Sequence, residues 1–325
     1  MIFGHEQAIA QFLAAWKTGA MHHAWLLTGP RGVGKASFAR AAAGRVLAEA
    51  AGPPIAAPGL EVPEDHPVGR LVTAESHPDF RLLDRLENEK TGNLARNISV
   101  AQVRELGELF AMTPSFSPWR SVVIDSVDDL EASAANALLK MLEEPPANSL
   151  FLLVSHVPGR LLPTIRSRCR RLDFRPLADD PMTSVLEARL PTLSAAERDR
   201  LLPLAGGSVG RALAFASLDL VPIEEQALAI LRGGDRDNAG RAKLAQALSG
   251  KAAAERYAAF LDMAPSLIAR EARSLDGVAR RRALDAYARA LETSRIAPRL
   301  SLDPAATVFQ LGTILASVAP QGGPR

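Results

Sequence analysis

Thr28-Gly29-Pro30-Arg31-Gly32-Val33-Gly34-Lys35-Ala36 decides the reading of this chain. The apolar run His23-Ala24-Trp25-Leu26-Leu27-Thr28 precedes it, and Ser37 to Ala50 reads as a helix after it. A strand, a glycine-rich turn and a helix form the context that a phosphate-binding loop requires. Gly29, Gly32 and Gly34 let backbone N–H groups close round phosphate oxygens. The helix N-terminus adds a positive dipole, and Lys35 is placed to reach the β- and γ-phosphates. A plain glycine-rich turn is the weaker alternative in this context. The loop is nevertheless incomplete. The position after the lysine supplies a Ser or Thr hydroxyl to Mg²⁺ in working phosphate loops, and here it is Ala36. Ser37 is one residue on, rotated by ~100° on the helix, and is a poor substitute.

Further along, Val122-Val123-Ile124-Asp125 is a β-branched run ending in an acid. Asp125 sits where a metal-holding aspartate would follow a strand. The next position carries Ser126 where a hydrolysing enzyme has a glutamate to orient water. Asp128 and Asp129 read as capping or solvated residues. Phe80 to Leu83 and Leu150 to Ser155 are further strand patterns, and Ser99 can cap a helix through Phe110. A helix from Ala134 to Glu144 stops at Pro145-Pro146, because proline lacks the helical N–H. This alternation predicts βαβ units, hence a parallel sheet with helices on both faces. Residues 52–69 hold five of the chain's prolines and read as a loop or insertion.

The pattern changes after Phe174. Residues 176–220 read as short helices with a turn at 206–208, and 222–318 as almost entirely helical. Tyr257, Phe260 and Leu261 fit one buried helix face; Leu284, Tyr287 and Leu291 fit another. The tail 321–325 reads as frayed.

Bulk properties narrow the class. A chain of 325 residues suits two or three domains. With 47% hydrophobic and 23% charged residues it is an ordinary globular chain, not a disordered one. No apolar run approaches the ~18 residues of a membrane span, and the N-terminus has no signal-peptide pattern. The single Cys169 excludes an internal disulfide and any multi-cysteine zinc site. A net charge of +2 permits nucleic-acid contact without arguing for it. Aromatics at 5% are too scarce for a base-stacking platform. These properties point to the cytoplasm.

Leu161 to Arg171 carries Arg166, Arg168, Arg170 and Arg171 within six positions. This reads either as a solvated basic helix end or as the source of an arginine, Arg168, that completes a neighbouring subunit's nucleotide site. Cys169 reads as a small packed side chain, with no base identifiable to make it a nucleophile.

Four stretches together resemble the AAA+ clamp-loader family of bacterial DNA polymerase III: Gly29–Lys35, Ser76-His-Pro-Asp-Phe80, Asn136-Ala-Leu-Leu-Lys-Met-Leu-Glu-Glu-Pro-Pro146 and Leu162-Pro-Thr-Ile-Arg-Ser-Arg-Cys169. The last two are the most specific. The resemblance is strong over 1–175. It is weaker over 176–220, where Gly206-Gly-Ser-Val-Gly-Arg211 is similar to a sensor-2 helix, and only compositional beyond. It implies an α/β AAA+ domain over 1–175, a small helical lid over 176–220 and an all-α collar over 221–325.

With Ala36 and Ser126 in place, the chain is most similar to the family's non-hydrolysing stator subunit. That role implies partners: ATPase subunits of the gamma/tau type, a delta subunit, and through them the sliding clamp and primed DNA, in the cytoplasm and at the nucleoid during replication. It implies Arg168 as the arginine given in trans. Gly29, Gly32, Gly34, Lys35, Asp125 and Arg211 are then a degenerate nucleotide site. No cofactor is required; whether ATP or ADP is held weakly, without hydrolysis, stays open. His156, at the sensor-1 position, is not the usual Thr or Asn. Family members often carry four cysteines before the Ser-His-Pro-Asp-Phe stretch; residues 48–75 have none. His66 and His77 therefore read as surface residues, and no zinc or other metal is expected. Two alternatives stand. A working gamma-like ATPase is favoured by the retained Lys35 and Asp125. A small-molecule kinase is opposed by the long helical C-terminal region.

Overall fold

Strands form where the short apolar runs lie. In the computed structural model, which describes residues 2–52, 54–87 and 94–320, they are β1 (Ala24–Thr28), β2 (Phe80–Leu83), β3 (Arg120–Asp125), β4 (Ser149–Ser155) and β5 (Arg170–Asp173). All pair in parallel, in the spatial order β2-β3-β4-β1-β5. Leu26 of β1 stands between Leu153 of β4 and Arg171 of β5. Every residue of β1 and β4 is buried, as a parallel sheet covered on both faces demands.

Alternate strand residues point to opposite faces. Trp25, Leu27, Leu152 and Val154 meet Phe12 of α1 (Glu6–Lys17) and Phe38, Val46 and Leu47 of α2 (Lys35–Ala51). On the other face, Leu26, Val122, Ile124 and Leu153 join a second cluster. It includes Val103 and Leu106 of α4 (Val100–Ala111), Leu138 of α5 (Ala132–Glu143) and Ile165 of α6 (Pro163–Ser167). Between them in sequence, α3 (Pro67–Thr73) packs against α2. Ser99 caps α4 in a reciprocal box with Gln102, and α5 ends two residues before Pro145.

Two local readings change. Of the described part of the proline-rich stretch, residues 54–66 are irregular, and Pro67 then opens α3, where its missing N–H is harmless. The irregular part is fastened by one side chain. Arg45, buried on α2, donates to the carbonyls of Ile55 (2.8 Å), Ala57 (2.9 Å) and Glu61 (2.7 Å) and pairs with Glu49. The basic run does not continue a helix either. α6 stops at Ser167, and Arg170–Asp173 forms the border strand β5 with only Leu172 buried. Its charges are satisfied sideways: the Arg170 guanidinium lies 4.8 Å over the Trp25 ring, and Arg171 bonds Asp173 at 2.7 Å.

The chain divides into two compact units, residues 1–210 and 211–325. The first also holds α7 (Asp179–Arg189) and α8 (Ala195–Ala205), so residues 176–210 pack within it. The second is helical: most of α9 (Val209–Leu218), then α10 (Val221–Gly233), α11 (Ala239–Ala247), α12 (Ala254–Ala272), α13 (Gly277–Leu300) and α14 (Pro304–Ala316). Phe260 and Leu261 of α12 are buried as their spacing predicts, with Tyr257 half-buried beside them. On α13 the expected face is the wrong one. Leu284 is 53% exposed, and the buried stripe is Ala283, Ala286, Ala290 and Ala297. α13 packs on both α12 and α14. The tail 321–325 lies outside the described residues. Among the described residues no helix is long and apolar enough to cross a membrane.

Candidate functional site

The glycine-rich loop leaves β1 at Thr28 and enters α2 at Lys35. Gly29 takes φ +149°, and a Cβ there would lie 2.1 Å from the Phe174 carbonyl oxygen. Phe174 in turn donates its N–H to Thr28 at 2.7 Å. Gly32 (φ +73°) is covered from another side: a Cβ would meet the Ser208 hydroxyl at 2.3 Å. Gly210 donates its N–H to the Gly32 carbonyl at 2.9 Å, and Ser208 donates its hydroxyl to the Arg31 carbonyl at 3.1 Å. The Gly-Gly-Ser turn thus closes on the loop. On the N-terminal side, His5 donates from Nε2 to the Val33 carbonyl at 2.7 Å, with its ring 4.7 Å from that of Phe174. Burial lowers the His5 pKa against the pull of that carbonyl, so the ring stands neutral.

Lys35 is buried and turned back on its own loop. Its Nζ donates to the carbonyls of Gly29 (2.6 Å) and Pro30 (2.5 Å). Burial lowers the ammonium to about 8; Asp125 and Asp128 hold it up, and Arg31 pushes it down. Asp125, at the end of β3, has its carboxyl raised by burial, with Asp84 adding to the shift and Arg40, Lys35 and Arg31 opposing it. The residues present do not complete a magnesium site for a nucleoside triphosphate. Ala36 has no side-chain oxygen to offer the ion.

Ser126 is buried beside Asp125 and caps the turn that follows. Its hydroxyl donates to Asp128 at 2.9 Å. Asp128 is not a solvated acid. It also accepts from the Ser155 hydroxyl (2.9 Å) and the N–H groups of His156 (2.5 Å) and Val157 (3.4 Å). Asp129 turns away, toward Arg85 at 3.5 Å. The His156 ring is pressed down to a pKa of about 4, first by burial, then by Lys35 and Arg31, with Asp128 opposing.

Arg168 follows α6 directly. Its Nη2 lies 2.8 Å from Glu143 Oε1, and its Nη1 donates to the Thr164 carbonyl at 3.0 Å. About a third of the side chain remains exposed. The thiol of Cys169 is pushed up to about 12 by burial, which leaves no thiolate to act as a nucleophile. Arg211 opens the second unit on α9; burial lowers its pKa and Asp262 of the same unit opposes. His77 is not at the surface. It is buried, its Nδ1 accepts from the Asp79 N–H at 3.1 Å, and its ring lies 5.3 Å from Phe116. Asp79 in turn accepts from the N–H groups of Ser115 and Phe116, so the Ser-His-Pro-Asp-Phe stretch braces a loop. Among the described residues no group of three His, Cys, Asp or Glu is placed to hold a metal.

A family model described as DNA polymerase III, delta subunit, matches residues 4–178, from the start of the first unit through β5. The chain belongs to this family. The DNA polymerase III subunit delta' of Pseudomonas aeruginosa is 37% identical over 187 residues, covering 57% of this chain and 53% of that protein. The delta' subunit of Haemophilus influenzae is 30% identical over 208 residues, 62% and 57% of the two chains. The tau subunit of Bacillus subtilis is 28% identical over 260 residues, 77% of this chain and 43% of that one. The chain spans about half the length of the curated relatives it matches.

In this DNA polymerase III delta-family chain, the sequence-expected Gly29, Gly32, Gly34, Lys35 and Asp125 come together round one loop. Arg168 stands apart from them beyond α6, and Arg211 belongs to the second unit. Sequence reasoning missed His5, Asp128, Ser208 and Glu143. Glu143 and Ser208 carried a signal, since they lie inside the Leu-Glu-Glu-Pro-Pro and Gly206-Gly-Ser-Val-Gly-Arg211 stretches.

Proposed function

We propose that this chain is a non-hydrolysing, delta-prime-type stator subunit of a bacterial DNA polymerase III clamp loader. It assembles with gamma/tau-type ATPase subunits and a delta subunit to load a sliding clamp on primed DNA, in the cytoplasm and at the nucleoid. It is organised as an AAA+ domain (1–175), a lid (176–220) and a collar (221–325). The observation that carries this reading is the pair Ala36 and Ser126: the first has no side-chain oxygen where metal needs a hydroxyl, and the second commits its hydroxyl to Asp128 at 2.9 Å. The chain runs without zinc or a catalytic cofactor, and any ATP or ADP it holds is not turned over.

Its contribution to hydrolysis is then made outward, by Arg168. In the neighbour's site, water attacks the γ-phosphorus and the bond to the β–γ bridging oxygen breaks. The products are ADP, inorganic phosphate and a proton. A guanidinium against the transferring group stabilises the charge on its oxygens and is worth ~10³–10⁵ in rate in comparable machines. The test is ATP hydrolysis by a reconstituted clamp loader with clamp and primed DNA, comparing this chain with its Arg168→Ala variant after equal assembly is verified. A drop of about tenfold or more in the loader's summed rate is expected, since one arginine serves one of its sites; an unchanged rate sinks the assignment.

A gamma/tau-like ATPase is the second reading, favoured by the retained Lys35 and Asp125 and by the similarity to a tau subunit. The purified chain alone separates the two. Background turnover supports the stator, and turnover at the rate of a loader ATPase supports the enzyme.

A further inference from the structure

The four clustered arginines are held in four different ways. Arg170 lies over Trp25, and Arg171 bonds Asp173 and Thr28. Arg166 is exposed and makes no side-chain hydrogen bond or ion pair among the described residues. Arg168 alone combines a carboxylate partner on a neighbouring helix with a partly open guanidinium. From this contrast we infer that Glu143 is the positioning residue of Arg168. The inference rests on the reading of Arg168 as the arginine given in trans.

Glu143 is the last residue of α5. A carboxylate is the wrong charge for a helix C-terminus, where the carbonyl ends are already negative. The helix therefore gains nothing from an acid at this position. The ion pair is partly exposed on both sides, and such pairs add little to stability. What it does supply is direction. An arginine side chain has many rotamers, and a trans-acting one must meet a phosphoryl group presented by another subunit. The 2.8 Å bond to Glu143 and the 3.0 Å bond to the Thr164 carbonyl fix the guanidinium plane from two sides. A guanidinium has five N–H donors, so these two bonds leave three for an incoming anion. Glu143 holds the fork and keeps out of the reaction.

Because the group it orders acts only in the transition state, Glu143 governs kcat and not KM. The test uses the reconstituted clamp loader with clamp and primed DNA, each variant checked for assembly by gel filtration and for folding by thermal melting. Glu143→Ala is expected to lower kcat for ATP about tenfold with KM unchanged, the scale of a misplaced catalytic group. Glu143→Gln, which keeps the acceptor oxygen at the same reach, is expected to recover most of that loss. In an Arg168→Ala background, Glu143→Ala is expected to add nothing. If Arg168→Ala lowers kcat and Glu143→Ala does not, the positioning role is overturned and the trans arginine survives. If neither changes kcat, the trans reading fails and takes this inference with it. An equal loss from Glu143→Ala with and without Arg168 also overturns it, since Glu143 would then act through something else.

Discussion

The hydroxyl of Ser155 donates to the carboxylate of Asp128 at 2.9 Å and ties the end of β4 to the turn after β3. Ser126 reaches the same carboxylate at 2.9 Å, and the N–H of His156 reaches it at 2.5 Å. Ser126, the residue after Asp125 at the end of β3, is thus committed to a structural acid. Asp128→Ala removes the acceptor and strands the buried hydroxyls of Ser126 and Ser155 and the His156 N–H, a change that costs about 2–4 kcal/mol. Urea denaturation of the purified chain is expected to show a lower midpoint with an unchanged slope.

Gly29 and Gly19 both have positive φ but sit in different surroundings. A Cβ on Gly29 would collide with the Phe174 carbonyl at 2.1 Å, whereas one on Gly19 (φ +68°) would meet nothing within 4 Å. Gly19→Ala should cost only the left-handed backbone penalty of about 1 kcal/mol. Gly29→Ala should cost about 3 kcal/mol or more, because the backbone of β1 or the 174–177 segment must move. Equal melting temperatures for the two variants would remove the close approach as the reason for a glycine at 29.

Arg45 is the fastener of the proline-rich segment. Arg45→Met keeps much of its apolar stem but leaves three carbonyls without their donor. The expected loss is about 2–4 kcal/mol. Limited proteolysis should show it directly, as new cleavage within residues 54–66 at protease levels that leave the parent chain intact.

His156 gives the first unit an acid sensitivity. Its pKa stands at about 4 in the folded chain against an ordinary value of ~6.5 when unfolded. Between those values the unfolded chain binds a proton that the folded chain does not, so stability falls as pH drops from about 6.5 to 4. From pH 7 to pH 5 the loss is about 2 kcal/mol at most. His156→Gln should flatten that part of the profile. Urea midpoints at pH 7 and pH 5 for the two chains measure it, and parallel profiles would show that the ring does not titrate in this window.

The layers of the first unit were legible because a buried parallel sheet writes itself as uninterrupted apolar runs. Leu150 to Ser155 could hardly be anything else. The glycine-rich loop from Gly29 to Lys35 was legible for the same local reason: the glycines and the lysine are adjacent in sequence. What closes on the loop was not legible. His5, Ser208 and Gly210 arrive from distant parts of the chain; a lone histidine has no pattern, and the Gly206–Arg211 stretch does not say what it packs on. β5 was hidden because a border strand buries one residue in four, here Leu172. α13 misled in the opposite direction. Leu284 and Leu291 have helical spacing, but the buried stripe is alanine, and a hydrophobic scale ranks alanine too low to outvote leucine.

The outward charge of β5 has one more consequence. Arg170, Arg171 and Asp173 stand along the border of the sheet next to β1. An unpaired strand border is a template on which another chain can add its own backbone. Here a recruit would have to strip water from two guanidinium groups and a carboxylate before it gained its ladder of hydrogen bonds. The border is thus guarded against runaway strand addition between copies of the chain.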